Sequence, residues 1–513
     1  MITPIHLVGI LLTVGMLLLV SICSGRKVKD AKAFMTGGKS GSWMVCGAIL
    51  GTLVGGQSTI GTAQLAFCYG ISAWWFTIGA ALGGLVLALF YAGPLRRSGC
   101  TTLLEIVSRE YGHKAETVGS TLFLIGIFIS IMAQVLSSSA MVTSLFHIPL
   151  SWAAIVSAAL IMAFVLFGGI QSAGAGGIVK LVLLYISCIA AGATVWVLSN
   201  GFVGISHDIE NIYTSSQLCH INGLTDIESI HHRYGNPVAR GPLKDIGGCL
   251  SLMLGVVSTQ TYAQGIWSGA TTAKARRGGL YCAFLIPILG AACTLIGMYM
   301  RGHYVTSAEL AAMKAAGETL PTGIGVIQNS LEAFPAFVLN HMPAWLGGIA
   351  LGAMLVNIMG CGSGLSLGAA TIVVRDVVPV VAGKLKVKLT GRKSSQLLQT
   401  RLAIAGILSL AVTVALSVKG TFINDLGFMS LGLRAVALLW PLSFALFLPG
   451  KFKSRAIVPA MVTGTIAMLV AKLAALPADP VYYGLVASVV VIVIPNIVEK
   501  VRPTAKKASN QER

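Results

Sequence analysis

Residues 43–70 read WMVCGAILGTLVGGQSTIGTAQLAFCYG. The stretch is long enough to cross a bilayer and carries no charge. It is nevertheless a poor smooth helix. Gly51, Gly55, Gly56 and Gly61 interrupt it, and Gln57, Ser58 and Thr59 sit at its middle. Glycine weakens a helix by roughly 1 kcal/mol relative to alanine. Polar groups at membrane depth are tolerated only where they face protein or a water-filled cavity. Two readings follow: close helix packing through small residues, or a broken helix that holds a solute at mid-membrane, as a transporter requires.

The rest of the chain sets that segment in a membrane. Of 513 residues, 55% are hydrophobic and 10% charged, against about 25% charged in a soluble domain. Mean hydropathy is +0.83. The chain is therefore a polytopic membrane protein whose partner is the lipid bilayer. Its net charge of +19 follows the loops, so no nucleic-acid partner is expected. Residues 5–23 are apolar, but their basic flank (Arg26, Lys27, Lys29) lies on the C-terminal side. That is opposite to a signal peptide, and the segment reads as a retained first helix. The ten cysteines show no CxxC or His/Cys spacing, so no zinc site is expected. Cys219 and Cys249 fall at or beside one loop, which leaves a disulfide between them open.

Thirteen apolar segments of about 20 residues can be counted: 4–23, 43–70, 72–93, 117–146, 150–169, 173–199, 246–268, 279–300, 343–373, 401–418, 424–448, 455–473 and 481–499. Of the 36 Lys and Arg residues, 27 fall in alternate gaps and 7 in the others. Basic loops stay inside, so the N-terminus is expected outside and the C-terminus inside. Lys180 and Arg434 lie within spans.

The thirteen spans divide into a first helix with a basic inner loop (1–42), five helices (43–199), an outer loop (200–245), five more (246–448), and two extra helices with a basic tail (449–513). A five-helix unit reverses its orientation when repeated, and this arithmetic predicts an inverted repeat with the solute between the first helices of the halves. The first helix of the second half, 246–268, has its own soft centre at Gly255 and Ser258–Thr261. Sequence identity between the halves is not visible. The loops 200–245 and 301–342 hold most histidines and read as solvated. Residues 94–116 predict a short amphipathic helix at the membrane surface. The tail after Glu499 is too short for an output domain.

Five stretches resemble the sodium/solute symporter family, which includes sugar, proline and pantothenate carriers. They are FMTGGKSGSW (34–43), GTLVGGQSTIGTAQLAFCYG (51–70), FGGIQSAGAGGIVKLVLL (167–184), TYAQGIWSGATTAKARRG (261–278) and MPAWLGGIALGAMLVNIMGCGSGLSLGAATIVVRD (342–376). Their order and spacing cover most of the chain. The resemblance implies an all-α LeuT-type fold, a 5+5 inverted repeat working by alternating access. It also implies a sodium site on the main-chain carbonyls of Gly51 and Val54, with one carbonyl and two hydroxyls at the positions of Asn357, Gly360 and Cys361. Both hydroxyls are missing here. Where the family usually carries an Asp and, one turn on, a Gln, this chain has Gly177 and Lys180, and the Arg of the family's Gln-Arg pair is Gly265.

These departures point to a changed ion site. A hard cation wants oxygen ligands, and a thiol is a poor substitute. All seventeen acidic residues lie in loops or at span ends, so no carboxylate pairs Lys180 in the core. A basic side chain at mid-membrane costs at least ~2.5–3.5 kcal/mol and is usually functional or paired. One expectation is that the Lys180 ammonium occupies the vacated sodium position, meeting the carbonyls of Gly51 and Val54 and the amide of Asn357. Low dielectric disfavours a charged amine, so the coupling ion would be H+ in place of Na+, or there would be none. The other expectation is that Lys180 reaches back to the inner surface. Arg434 either meets a solute carboxylate, bonds helix-end carbonyls, or reaches Asp425.

Two cations without an anion favour a small organic solute bearing negative charge. Its pocket is expected at Gln57, Ser58 and Thr59, with Ser258 and Gln260 from the facing broken helix and Gln134 as a weaker candidate. Trp74 and Trp75 either cap that pocket or belong to an interfacial belt. No cofactor is implied, and a monomer is expected. An ordinary sodium symporter with a modified site and a solute sensor remain as alternatives. No pore ring suggests a channel, and no catalytic grouping suggests an enzyme.

Overall fold

The computed structural model describes residues 2–27, 40–168, 175–215, 218–374, 393–417, 422–452 and 454–509. The basic gaps 28–39 and 375–392 and the Gly-Gly turn at 169–174, all used in the sequence reading, lie outside the described residues.

The described chain is helical apart from two three-residue parallel strands, β1 (Tyr304–Thr306) and β2 (Gly325–Ile327). The helices of the bundle are α1 (Pro4–Lys27), α2 (Ser42–Leu53), α3 (Thr62–Tyr69), α4 (Trp75–Val86), α5 (His113–Phe146), α6 (Leu150–Gly168) and α7 (Ala175–Leu198). They continue as α8 (Pro242–Val257), α9 (Gln260–Ser268), α10 (Thr272–His303), α11 (Ala344–Ile372), α12 (Lys393–Ser417), α13 (Ile423–Phe447), α14 (Ser454–Leu473) and α15 (Pro480–Ser509). Among the described residues, eight helical stretches are long and apolar enough to cross a membrane, and four shorter apolar helices join them. The chain is an integral membrane protein.

The two soft segments are both broken. Residues 43–70 divide into α2, an unwound step at Val54–Gly56, one wide π turn at Gln57–Gly61, and α3. Residues 246–268 divide into α8 and α9 at Ser258–Thr259. A second turn at Gly70 ends α3. There φ is +56, and a Cβ would strike the Tyr234 carbonyl, so only glycine fits.

Around the breaks, α10 packs on α2, α3, α4 and α7, while α13 packs on α5 and α8. Helix α11 sits against α1, α5 and α7. Helix α1 meets α11 through small residues, Gly9 on Gly348 and Thr13 on Gly352. Such contacts let backbones approach where lipid gives no hydrophobic drive.

Three expectations change. The amphipathic helix of 94–116 exists as Leu103–Tyr111, but Leu103, Ile106, Val107 and Tyr111 are buried, and the helix packs on α5 and α13. Its apolar face covers protein, not the membrane surface. The loops read as solvated fold into short helices pinned by a buried cation. Arg301 pairs with Glu309 at 2.9 Å and donates to the Tyr213 hydroxyl at 2.8 and 3.1 Å. Cys219 and Cys249 are free thiols. Cys219 contacts the Tyr213 carbonyl and Cys249 lies in α8, so the disulfide is not formed.

Candidate ion and solute site

Breaking a helix strands carbonyls and N–H groups that must find partners. At the first break the partners are side chains from three other helices. Lys180, on α7 and 9% exposed, donates from Nζ to the Gly51 carbonyl at 3.2 Å. Asn357, on α11, donates from Nδ2 to the Val54 carbonyl at 2.6 Å. The Cys361 thiol, one turn on, lies 3.5–3.6 Å from the carbonyls of Gly51, Thr52 and Val54. Gln134, on α5, accepts from the Gly56 N–H at 3.1 Å. Gly360 completes the set by what it lacks. A Cβ there would stand 2.9 Å from Lys180 Nζ.

The structure thus brings together all six residues expected at the ion position: Gly51, Val54, Lys180, Asn357, Gly360 and Cys361. The ammonium stands against one of the carbonyls that the family resemblance gives to sodium. Asn357 keeps Oδ1 without a hydrogen bond. No carboxylate pairs with Lys180 among the described residues. The sequence reading treated Cys361 only as a failed oxygen ligand. Here its single S–H is a weak donor within reach of three carbonyls at the break, a role that no pattern in one sequence signals.

The expected solute residues separate. Gln57, Ser58 and Thr59 are buried in the wide turn. Ser58 and Thr59 bond back to the carbonyls of Leu53 and Gly55 at 3.2 and 3.1 Å, while Gln57 Nε2 has no partner. A Cβ at Gly427 on α13 would lie 3.2 Å from that Nε2 and 2.5 Å from the Phe76 ring. Gln57 therefore faces α4 and α13 across a glycine. Ser258, at the second break, is fully buried with Oγ unpartnered. Gln134 is occupied in holding the first break.

Gln260 does not join this group. Its Oε1 accepts from Leu103 N at 2.7 Å and its Nε2 donates to the Thr101 carbonyl at 3.2 Å. It is the first residue of α9, directly after the break, and its amide ties that helix to the basic end of the molecule. Arg434 is 2% exposed and donates from Nη2 to Ser130 and Ser430 hydroxyls, both at 2.7 Å, and to the Gly126 carbonyl at 3.3 Å. It does not reach Asp425, because Arg240 holds that carboxylate at 2.7 Å. Nε of Arg434 remains unpartnered. Trp74 and Trp75 are held by backbone carbonyls away from the first break. Their indoles donate to the carbonyls of Pro287 at 2.9 Å and Pro237 at 2.6 Å.

The basic ends of the two broken helices are also joined. Ser40 and Gly269 form a parallel bridge, with Ser40 N bonding Ser268 O at 3.0 Å and Ala270 N bonding Ser40 O at 2.9 Å. Arg96 donates to the carbonyls of Ile266, Trp267, Gly269 and Ala270, the favourable place for a cation at a helix C-terminus. Sequence reading counted Arg96 only as a loop charge.

Two broken helices facing each other inside a bundle of long apolar helices define a class, the membrane carriers of LeuT-type fold. Two solved structures carry the same architecture. A sodium-coupled sialic acid symporter in a substrate-bound outward-open state matches with a TM-score of 0.66 over 97% of this chain and 98% of that one, at 15% identity. The nucleobase-cation-symport-1 family transporter MHP1, closed with bromovinylhydantoin bound, matches with a TM-score of 0.50 over 92% and 94%, at 11% identity.

The model of the sodium:solute symporter family matches residues 34–501, and the chain belongs to that family. A high-affinity choline transporter of Torpedo marmorata is 24% identical over 356 residues, 68% of this chain and 56% of that protein. The chain thus spans little more than half the length of that relative. A monocarboxylic acid transporter of Corynebacterium glutamicum is 23% identical over 460 residues, 87% of this chain and 79% of that one.

Proposed function

We propose that the protein is a secondary transporter in which the Lys180 ammonium takes the place of a sodium ion. The observation that carries this reading is the 3.2 Å contact of Lys180 Nζ with the Gly51 carbonyl at the break of the first core helix. Thirteen spans in a 5+5 inverted repeat, with the N-terminus outside, place the two breaks near mid-membrane, where alternating access works on them. Placing an amine there costs at least ~2.5–3.5 kcal/mol, which stranded carbonyls offset in part. An amine held by neutral oxygens can release its proton when those oxygens move away. Solute movement would then be linked to H+ in place of Na+, or to no ion.

The solute is a small organic anion, a monocarboxylate by preference. Lys180 and Arg434 are buried cations without a carboxylate partner among the described residues. Gln57 Nε2 and Ser258 Oγ are further unclaimed polar atoms near the breaks. The likeness to a monocarboxylic acid transporter over most of both chains agrees with this choice. A second reading, a sodium symporter with a modified site, has one observation in its favour. Asn357 Oδ1 and the Val54 carbonyl would face an ion if Lys180 withdrew.

Purified protein in liposomes separates the readings when sodium and pH gradients are varied independently. Uptake of short monocarboxylates is expected to follow the pH gradient, to be indifferent to sodium, and to fall at least tenfold in Lys180→Gln. Sodium-driven uptake with an unchanged pH profile in Lys180→Gln would overturn the proposal. Binding without uptake would make the protein a sensor.

A further inference from the structure

A charged cavity of about 350 Å³ lies away from the breaks, at the end of the molecule opposite Arg96, where α8 and α13 begin and the α14–α15 turn folds over them. Its size suits a small ligand. Its wall includes Arg240, Asp425, Asp479, Phe428 and Met429, with Lys244 and Lys472 exposed beside them.

Charge is segregated in this cavity. Asp479 is 8% exposed and makes no ion pair among the described residues. Its Oδ1 accepts from Val481 N at 3.0 Å and from Ser251 at 3.3 Å, and Oδ2 takes no hydrogen bond from the described residues. Burial pushes this carboxyl up and the neighbouring Asp425 adds to the shift, against the bonds from Val481 N and Ser251 and the charge of Arg240. Asp425 gives Oδ1 to Arg240, whose second partner is Asp245 at 2.7 Å. Arg240 is therefore already neutralised. A buried carboxylate without a cation is an expensive arrangement unless something supplies one. Both lysines stand exposed and, among the described residues, without an ion pair.

We propose that this cavity binds a small zwitterion of the amino-acid type, its ammonium on Asp479 and Asp425, its carboxylate at Lys244 and Lys472, and its side chain against Phe428 and Met429. The site is separate from the solute site and stands whether or not Lys180 replaces sodium. A ligand seated here touches α8 and α13 together, and through Asp425 it loads the Arg240 tie between them.

Calorimetry on the full protein in nanodiscs tests this with leucine, isoamylamine and 4-methylpentanoate, which share an apolar part and differ in charged ends. Leucine is expected to bind best, isoamylamine several-fold more weakly, and 4-methylpentanoate least. Asp479→Asn should weaken leucine at least tenfold. Lys472→Glu, an exposed change that spares folding, should weaken leucine several-fold and leave isoamylamine equal or tighter. Arg434→Lys should leave leucine binding unchanged. Failure of leucine to bind at tens of millimolar, tighter binding of 4-methylpentanoate, or loss of leucine binding in Arg434→Lys but not in Asp479→Asn would each overturn the proposal.

Discussion

At the residue scale, one lysine and one missing side chain depend on each other. Gly360 leaves the space in which Lys180 Nζ stands, because a Cβ there would come within 2.9 Å of it. Gly360→Ala is therefore expected to push the ammonium off the Gly51 carbonyl while keeping its charge. The pH profile of uptake should move in the direction seen with Lys180→Gln, but less far; an unmoved profile would show that the contact is incidental. Restoring oxygen ligands tests the same point without transport. The triple variant Lys180→Gln, Gly360→Ser, Cys361→Ser should gain about 1.4 kcal/mol of stability at a sodium concentration ten times its Kd. Its Tm would then rise in sodium chloride and not in potassium chloride, whereas the wild-type Tm should be the same in both. Lys180, Asn357 and Cys361 were legible as a group because the resemblance to the symporter family puts them at the positions of its ion site. Arg434 was not. Ser430 one turn back on its own helix, and Ser130 and the Gly126 carbonyl on α5, receive it, and ordinary serines and a backbone carbonyl carry no signal of that role.

At the scale of the element, each broken helix needs donors and acceptors supplied from outside. Gln134 meets the Gly56 N–H. Gln134→Leu keeps the volume and leaves that N–H unpaired, which costs about 1–3 kcal/mol. A matching fall in thermal stability, with uptake slowed, is the expected result; full stability would mean that water replaces the amide. The breaks themselves were readable from glycine and hydroxyl residues clustered in apolar runs. The exact step was not, because it depends on which carbonyls find side-chain partners. Gln260 shows the limit. It lies next to Thr259 in sequence, yet α9 starts there and rotates its amide toward Thr101 and Leu103. Likewise the amphipathic pattern of Leu103–Tyr111 was real, but periodicity does not say whether lipid or protein covers the apolar face.

At the scale of the whole molecule, the segments between spans are structural members. Burial would raise the Glu309 carboxyl, but Arg301 beside it and hydrogen bonds from Thr306 and Asn222 outweigh that and hold it at about 2. A carboxyl held below its usual 4.5 adds stability above that pH and loses it as pH falls through about 2. Glu309→Gln should therefore destabilise the protein at pH 7 by on the order of 3 kcal/mol. Its Tm deficit should shrink between pH 4.5 and 2; a deficit that does not change with pH would assign the loss to packing. Alkylation should modify both Cys219 and Cys249 in unfolded, unreduced protein, as two free thiols require. The bridge between Ser40 and Gly269 has a consequence in time. Ser40 emerges early from the ribosome and waits for a residue made 229 positions later. At about 5–20 residues per second that is roughly ten to fifty seconds of synthesis. Through that interval the N-terminal end of the first broken helix lacks this anchor, and nascent chains arrested short of Gly269 should remain cleavable beside Ser40.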